Sequence, residues 1–370
     1  MEKIPLYKVF MSSTAGEAVN EVLYSGFIGE GEKVEEFEKK LCEYLDVEFG
    51  LVVNSCTSAL QVVLHFLNPR LHKWKDIITA PLSCFATVSS IVAAGLRPRW
   101  VDVDPNTCNV DLKDLKRRIN RDTIIILLVH FAGNPIDYDF LDHILSEHEK
   151  EHGYRPSVVE DCAQAFGSKS NGRFVGTHGN ISCFSFQAVK PLTTGDGGFI
   201  VVPNKEIYDS LKLLRWYGLD RNKPRETQDV SNPGFKFNMN NISAAIGIEN
   251  LKNIDEILGC QISNYKFFVD ELSDVDGLEL IEINENYCTN GCILPLKVEQ
   301  KLNFEKHMNF CGIESKLIHR RIDAHSCFEI DKETLPGLDD LEKKLTCIPC
   351  GWWVDNEGRE YIVDCIKKGW

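Results

Sequence analysis

No apolar run in this chain approaches the roughly 20 residues that a membrane-spanning helix needs. The first residues, Met1-Glu2-Lys3-Ile4-Pro5-Leu6, lack the apolar core and cleavage signal of a secretory leader. The expectation is a cytoplasmic protein. A basic stripe is missing too. Lys116-Arg117-Arg118 and His319-Arg320-Arg321 are short and isolated, and 41 basic residues against 55 acidic ones leave a net charge of −14. That balance argues against nucleic acid and anionic membranes as partners, since both attract clustered positive charge. There is no internal repeat and no low-complexity segment. Cysteine is plentiful but unpatterned: 14 are spread from Cys42 to Cys365. A disulfide framework is not expected, and most should be buried thiols in a reducing compartment. Cys347-Ile348-Pro349-Cys350 is a lone CxxC. With Cys288 and Cys292 it could supply four zinc ligands, but the proline-containing pair reads as a strand end without a histidine nearby, and no metal is expected.

The 370 residues, 43% of them hydrophobic, allow two domains or one large α/β domain with a smaller appendage. Residues 33–45 place Val34, Phe37, Leu41 and Leu45 on one helical face. Strand-like runs follow at Phe49–Val53, Asp76–Ala80, Arg99–Val103, Thr123–Val129 and Ser157–Glu160. Helical stretches lie between them, at Thr57–Phe66, about Ala86–Ala94, 112–119 and about Tyr138–Lys150. This alternation predicts a largely parallel sheet with helices on both faces. Ligands of such sheets bind beyond the carboxyl ends of the strands. From about residue 204 helices dominate through Leu272, around a polar loop at Asp220–Asn232. Asn238-Met239-Asn240-Asn241 reads as a helix N-terminus. The last hundred residues mix short strands and helices in an α+β pattern.

Against that frame one lysine stands out. The apolar run Ile181–Phe186 delivers Lys190 into a loop that closes on Gly195-Asp196-Gly197-Gly198, and a second run, Gly198–Val202, follows. A lysine in a partly dry pocket offers a neutral amine, which can form a Schiff base with an aldehyde as in enzymes that hold pyridoxal phosphate (PLP). Taken alone, Lys190 reads as a surface lysine beside a turn. The other strand ends carry the remaining parts of such a site. Asn54-Ser55-Cys56-Thr57-Ser58 crosses from a strand into a helix, where free N–H groups and hydroxyls suit a phosphate; the plain alternative is an ordinary N-cap. Asp161, at the end of a strand, can pair with a protonated pyridine nitrogen, or serve as a metal-binding or N-cap aspartate, and Gln164 can reach a phenolic oxygen or lie on a solvated turn. Phe85 can cover a flat ring or pack in the core.

In their order and positions these segments resemble the DegT-type nucleotide-sugar aminotransferases, within the fold-type-I PLP enzymes. The resemblance runs from about Ile4 to Trp370. It rests on Ser25–Gly31, Ser55–Leu60, Val101–Pro105, Glu160–Ala165, Ser185-Phe186 with Lys190, Gly195–Gly198 and Ala244–Gly247. It implies a large domain, residues 1–250, built on a mostly parallel seven-stranded sheet, and a small α+β domain, residues 251–370. It implies Lys190 as Schiff-base lysine and proton shuttle, Asp161 at the pyridine nitrogen, Gln164 at the ring hydroxyl, Phe85 on the ring, and Thr57, Ser58 and Ser185 on the phosphate. The implied partners are a nucleotide-linked ketosugar, L-glutamate as amino donor, and a second subunit sharing the active site. The implied product is a 4-amino-4,6-dideoxy sugar nucleotide made from a 4-keto-6-deoxy sugar, with a 3-keto substrate as the close alternative.

Substrate contacts are expected from Phe27, Ile28, His319 and Arg320, and candidate nucleotide contacts near Gly26–Gly31 and in the 219–232 loop. Two segments depart from the family pattern. Lys236, in Gly234-Phe235-Lys236-Phe237-Asn238, stands where many members have an asparagine that reaches the partner's phosphate; a lysine can act there as a point charge. Ile318–His325 replaces a His-Tyr-x-Pro segment near the sugar, with a structural loop as the alternative role. Members that remove a sugar hydroxyl carry histidine at the Schiff-base position, so Lys190 argues for transamination. A non-catalytic regulator or binding module on the same fold is the remaining alternative.

Overall fold

The computed structural model describes residues 3–68, 76–328 and 333–370. The first part of the chain contains helices α1 (Ala15–Tyr24), α2 (Glu32–Leu45), α3 (Cys56–Leu67), α4 (Phe85–Ala93), α5 (Leu112–Arg118), α6 (Tyr138–His152) and α7 (Lys205–Leu214). Its strands are β1 (Gly50–Val53), β2 (Asp76–Thr79), β3 (Arg97–Trp100), β4 (Ile125–Val129), β5 (Ser157–Asp161), β6 (Lys169–Ser170), β7 (Arg173–Phe174), β8 (Ile181–Ser185) and β9 (Gly198–Val201). Helices α8 (Asn241–Leu251) and α9 (Ile254–Leu272) lead to β10 (Leu278–Leu280), β11 (Tyr287–Cys288) and β12 (Ile293–Val298). Then come α10 (Lys301–Phe310), α11 (Pro336–Lys344), β13 (Leu345–Pro349) and α12 (Asn356–Lys367).

Seven strands form one sheet in the order β1-β9-β8-β5-β4-β2-β3. The run from β8 to β3 is parallel, and β9 lies antiparallel to both neighbours. Burial on both faces explains why these strands read as unbroken apolar runs. Alternate residues go to opposite layers. Leu51 and Val53 pack with α3, α4 and α7, whereas Val52 packs with α2 and α8. Ile125 and Leu127 join the first layer, while Ile126 and Leu128 face α5, α6 and α11.

A three-stranded antiparallel sheet, β10-β12-β13, is covered by α9, α10 and α12. A small sheet, β11-β6-β7, lies apart from it. Among the described residues no helix is long and apolar enough to cross a membrane.

Most predicted elements appear within a few residues of their expected bounds. Three differences stand out. Helix α1 was not anticipated, because it buries only Ala15 and Val22 and so shows a weak apolar stripe. The β6–β7 hairpin, two residues a strand, is too short for a period-2 signal. Helix α4 begins at Phe85, one residue before its expected start, so that ring projects from a first helical turn.

Candidate active site

The sheet register brings three distant segments to one edge. Val53 of β1 pairs with Gly198 of β9, and Gly198 pairs with Ser185 of β8. Ser185 and the turn after β1 therefore flank Gly198. A Cβ at that position would lie 2.6 Å from the carbonyl carbon and oxygen of Ser55 and 2.7 Å from the nitrogen of Cys56. Only glycine lets β9 approach the turn so closely. Ser55 is the N-cap of α3, its Oγ accepting the Ser58 N–H at 3.1 Å and lying 2.9 Å from Ser58 Oγ. The N-cap alternative is thus realised, and it leaves the Cys56 and Thr57 N–H groups without a hydrogen bond among the described residues. Thr57 is half-buried, while Ser58 and Ser185 are buried.

Asp161 ends β5 and is buried. Thr87 Oγ1 donates to its Oδ2 at 2.6 Å and the Ala163 N–H to its Oδ1 at 3.0 Å. Burial pushes this carboxyl above its ordinary value, while Thr87, Ala163 and the positive charge of Lys190 pull it down. Immediately before it, Glu160 points to the opposite face. Burial acts to raise that carboxyl as well, but His130, Tyr138 and Asn180, at 2.9, 2.7 and 2.7 Å, hold it below the usual range.

Lys190 is half-buried in the turn after β8, its N–H bonded to the Gln187 carbonyl. Among the described residues no hydrogen bond or ion pair engages its ammonium, and its charge bears on Asp161, Cys56, Cys292 and His319. The loop behind it is pinned. Thr193 Oγ1 and the Thr194 N–H both donate to the Phe186 carbonyl, and Asn250 donates to the Thr193 carbonyl at 2.8 Å.

Gln164 is buried beside this group. Its Oε1 accepts the Ala132 N–H at 2.7 Å and its Nε2 lies 3.0 Å from His319 Nε2. Burial and the charge of Lys190 push the His319 imidazole down to about 4. Phe85 is 45% exposed rather than packed in the core, with the rings of His325 and Phe328 at 5.3 and 5.7 Å.

No hydrogen bond, ion pair or ring contact among the described residues links Phe27, Ile28, Lys236 or Arg320 to Lys190, Asp161 or Gln164. Phe27 and Ile28 are 56% and 45% exposed beside the start of α8, where Asn241 Nδ2 donates to the Phe27 carbonyl. Lys236 lies over the Trp216 ring, 4.1 Å from its centroid, and bonds Asn238. Arg320 is exposed, whereas its neighbour Arg321 pairs with Asp323, Asp339 and Glu342. A cleft of about 530 Å³ lies where nucleotide contacts were expected, its lining including Glu30, Gly31, Leu219 and Arg221.

Sequence reasoning gave no role to Thr87, His130 or the Ala132 N–H. Thr87 lay within a quoted segment, but its partner is 74 residues away. The four cysteines considered as zinc ligands do not converge. Among the described residues only His130, Glu160 and Cys162 group closely enough to hold a metal ion, and burial keeps the Cys162 thiol well above its usual range.

The donor set fits PLP. A buried carboxylate with a raised pKa suits a cationic ring nitrogen, an open aromatic face suits the ring, and the free N–H groups at the start of α3 suit a phosphate. Residues 11–367 match the DegT/DnrJ/EryC1/StrS aminotransferase family. The sugar aminotransferase CalS13 of Micromonospora echinospora is 39% identical to this chain, with a TM-score of 0.96 over 99% of this chain and 100% of that one. GDP-perosamine synthase of Escherichia coli O157:H7 is 30% identical over 372 residues, covering 100% of this chain and 99% of the relative. The UDP-4-amino-4,6-dideoxy-N-acetyl-beta-L-altrosamine transaminase of Campylobacter jejuni is 27% identical over 371 residues, 96% of each. Joined to a lysine, a carboxylate and a turn with free N–H groups at one sheet edge, these matches place the chain in the DegT/DnrJ/EryC1/StrS family of PLP-dependent aminotransferases.

Proposed function

We propose that the protein moves the amino group of L-glutamate to a nucleotide-linked 4-keto-6-deoxy sugar, giving a 4-amino-4,6-dideoxy sugar nucleotide. The observation that carries this reading is the convergence of Lys190, buried Asp161 and the α3 N-terminus on one edge of the sheet. The names of the sugar-nucleotide relatives support the substrate class.

When bound, PLP supplies an aldehyde for an amine and a conjugated ring that delocalises the electron pair left by a departing Cα proton. The remaining steps belong to the chain. Thr57, Ser58 and Ser185 hold the phosphate, Phe85 covers the ring, and Asp161 keeps the ring nitrogen protonated. Lys190 holds the cofactor in the resting enzyme. Its Nζ would also carry the proton from the substrate Cα, which is why one residue can serve as nucleophile and base. The same lysine runs the second half-reaction in reverse on the ketosugar.

Residues 1–250 form the cofactor-binding part and 251–370 the smaller one. Phe27, Ile28 and Lys236 serve a site shared with a second copy. His319 and Arg320 border the sugar.

The visible spectrum of the purified protein tests this reading. Wild type loaded with PLP should show a yellow band that glutamate bleaches and the correct ketosugar restores. Lys190→Ala should lack that band and lose activity by at least about a thousandfold. A PLP-treated wild type with no band would overturn the proposal. A band that glutamate leaves unchanged would overturn the assigned donor.

A further inference from the structure

The amide of Gln164 has only one orientation consistent with its neighbours. The Ala132 N–H can only donate, so the atom 2.7 Å from it is the amide oxygen. Ala132 is itself in the left-handed region (φ 50, ψ 26), which non-glycine residues seldom occupy. The amide nitrogen then faces His319 Nε2 at 3.0 Å. An amide nitrogen also only donates, so His319 Nε2 accepts and carries no proton. The ring is neutral, with its hydrogen on Nδ1. Burial and the charge of Lys190, the charged group that bears on His319, favour the same state.

An amide nitrogen has two hydrogens. Among the described residues His319 is the one partner of Gln164 Nε2, so the second hydrogen is uncommitted. We propose that His319 is a positioning residue for the cofactor: by accepting one hydrogen of the Gln164 amide it aims the other at the phenolic oxygen of bound PLP. This rests on the aminotransferase reading, in which Gln164 faces that oxygen. The chain segment that carries His319 also places His325 and Phe328 against the Phe85 ring. One segment, 155 residues from Gln164 in sequence, thus braces two proposed cofactor contacts, at the edge and the face of the ring.

Two measurements test the proposal. The first uses apoprotein labelled with 15N-histidine at pH 7. Long-range 1H–15N correlation should show one ring protonated on Nδ1 and bare on Nε2, and that signal should be missing from His319→Gln. A His319 ring protonated on Nε2 would overturn the proposal.

The second is the pH titration of the visible band in PLP-loaded protein. A donor at the phenolic oxygen stabilises the anion left when the lysine–cofactor linkage loses its proton, so it lowers the midpoint. His319→Leu and Gln164→Leu should each raise the midpoint by about 0.5–1 pH unit, the worth of one hydrogen bond. The double variant should go no further. His319→Gln, whose amide oxygen can stand in for Nε2, should return toward wild type. A His319→Leu midpoint equal to wild type while Gln164→Leu moves would sink the proposal. Wild type without a visible band would sink the aminotransferase reading itself, a failure visible before any variant is compared.

Discussion

At Asp161, burial opposes ionisation while two hydrogen bonds and Lys190 favour it, and burial prevails. The folded carboxyl therefore titrates above the unfolded one. Its stabilising, protonated state is fully present below the ordinary aspartate range and is lost as pH rises through the folded value. Asp161→Asn removes that titration. In apoprotein, urea unfolding should show the variant gaining on wild type as pH rises through this window and then holding a constant lead, at about 1.4 kcal/mol per pKa unit. A stability difference that is flat from acid to neutral pH would contradict the assignment. In the loaded enzyme the same variant should lose activity, because an amide cannot hold a ring nitrogen protonated. Asp161 was legible in the sequence as a carboxylate closing an apolar run. Its donor Thr87 was not, since a threonine on a helix shows its partner only when another strand's end comes within 2.6 Å.

The elements that build the site depend on close approach as much as on polarity. Strand β9 runs against its neighbours and enters the sheet at Gly198, wedged between Val53 and Ser185. Gly198→Ala would put a methyl group 2.6–2.7 Å from the backbone of the α3 turn, which has no flexible side chain to yield. Overpacking of this kind costs about 1–3 kcal/mol. Urea unfolding should report that loss, and titration with PLP should report weaker binding, because the turn proposed to hold the phosphate is the part displaced. Unchanged PLP affinity would show that the turn is not the phosphate site. The glycine cluster was visible in the sequence, but its reason was not: residues 55 and 198 meet only when β9 inserts beside β1.

At the scale of the whole molecule, the proposed site shared with a second copy needs a contact surface. Tyr24 is 83% exposed, and Val9, Met11, Leu23, Phe27 and Ile28 are exposed as well. Analytical ultracentrifugation should give about twice the 42.0 kDa chain mass. Tyr24→Glu, which places a charge at the most exposed of these aromatic positions, should shift the equilibrium toward monomer and lower activity with it. A fully active monomer would contradict the shared site.

The sequence by itself determined the class of fold and the chemistry on offer. Both are local: apolar runs alternating with amphipathic stretches specify a βα succession, and polar residues placed after those runs must emerge at strand ends. Ser55, Asp161 and Lys190 were readable for that reason. Only the tertiary structure decided which of these groups meet. It joined Gln164 to His319 and Thr87 to Asp161, and set β9 antiparallel in a sheet whose pattern predicted largely parallel strands. Such pairings follow from sheet order and register, which depend on how the layers pack against one another, and no single stretch of sequence carries that information.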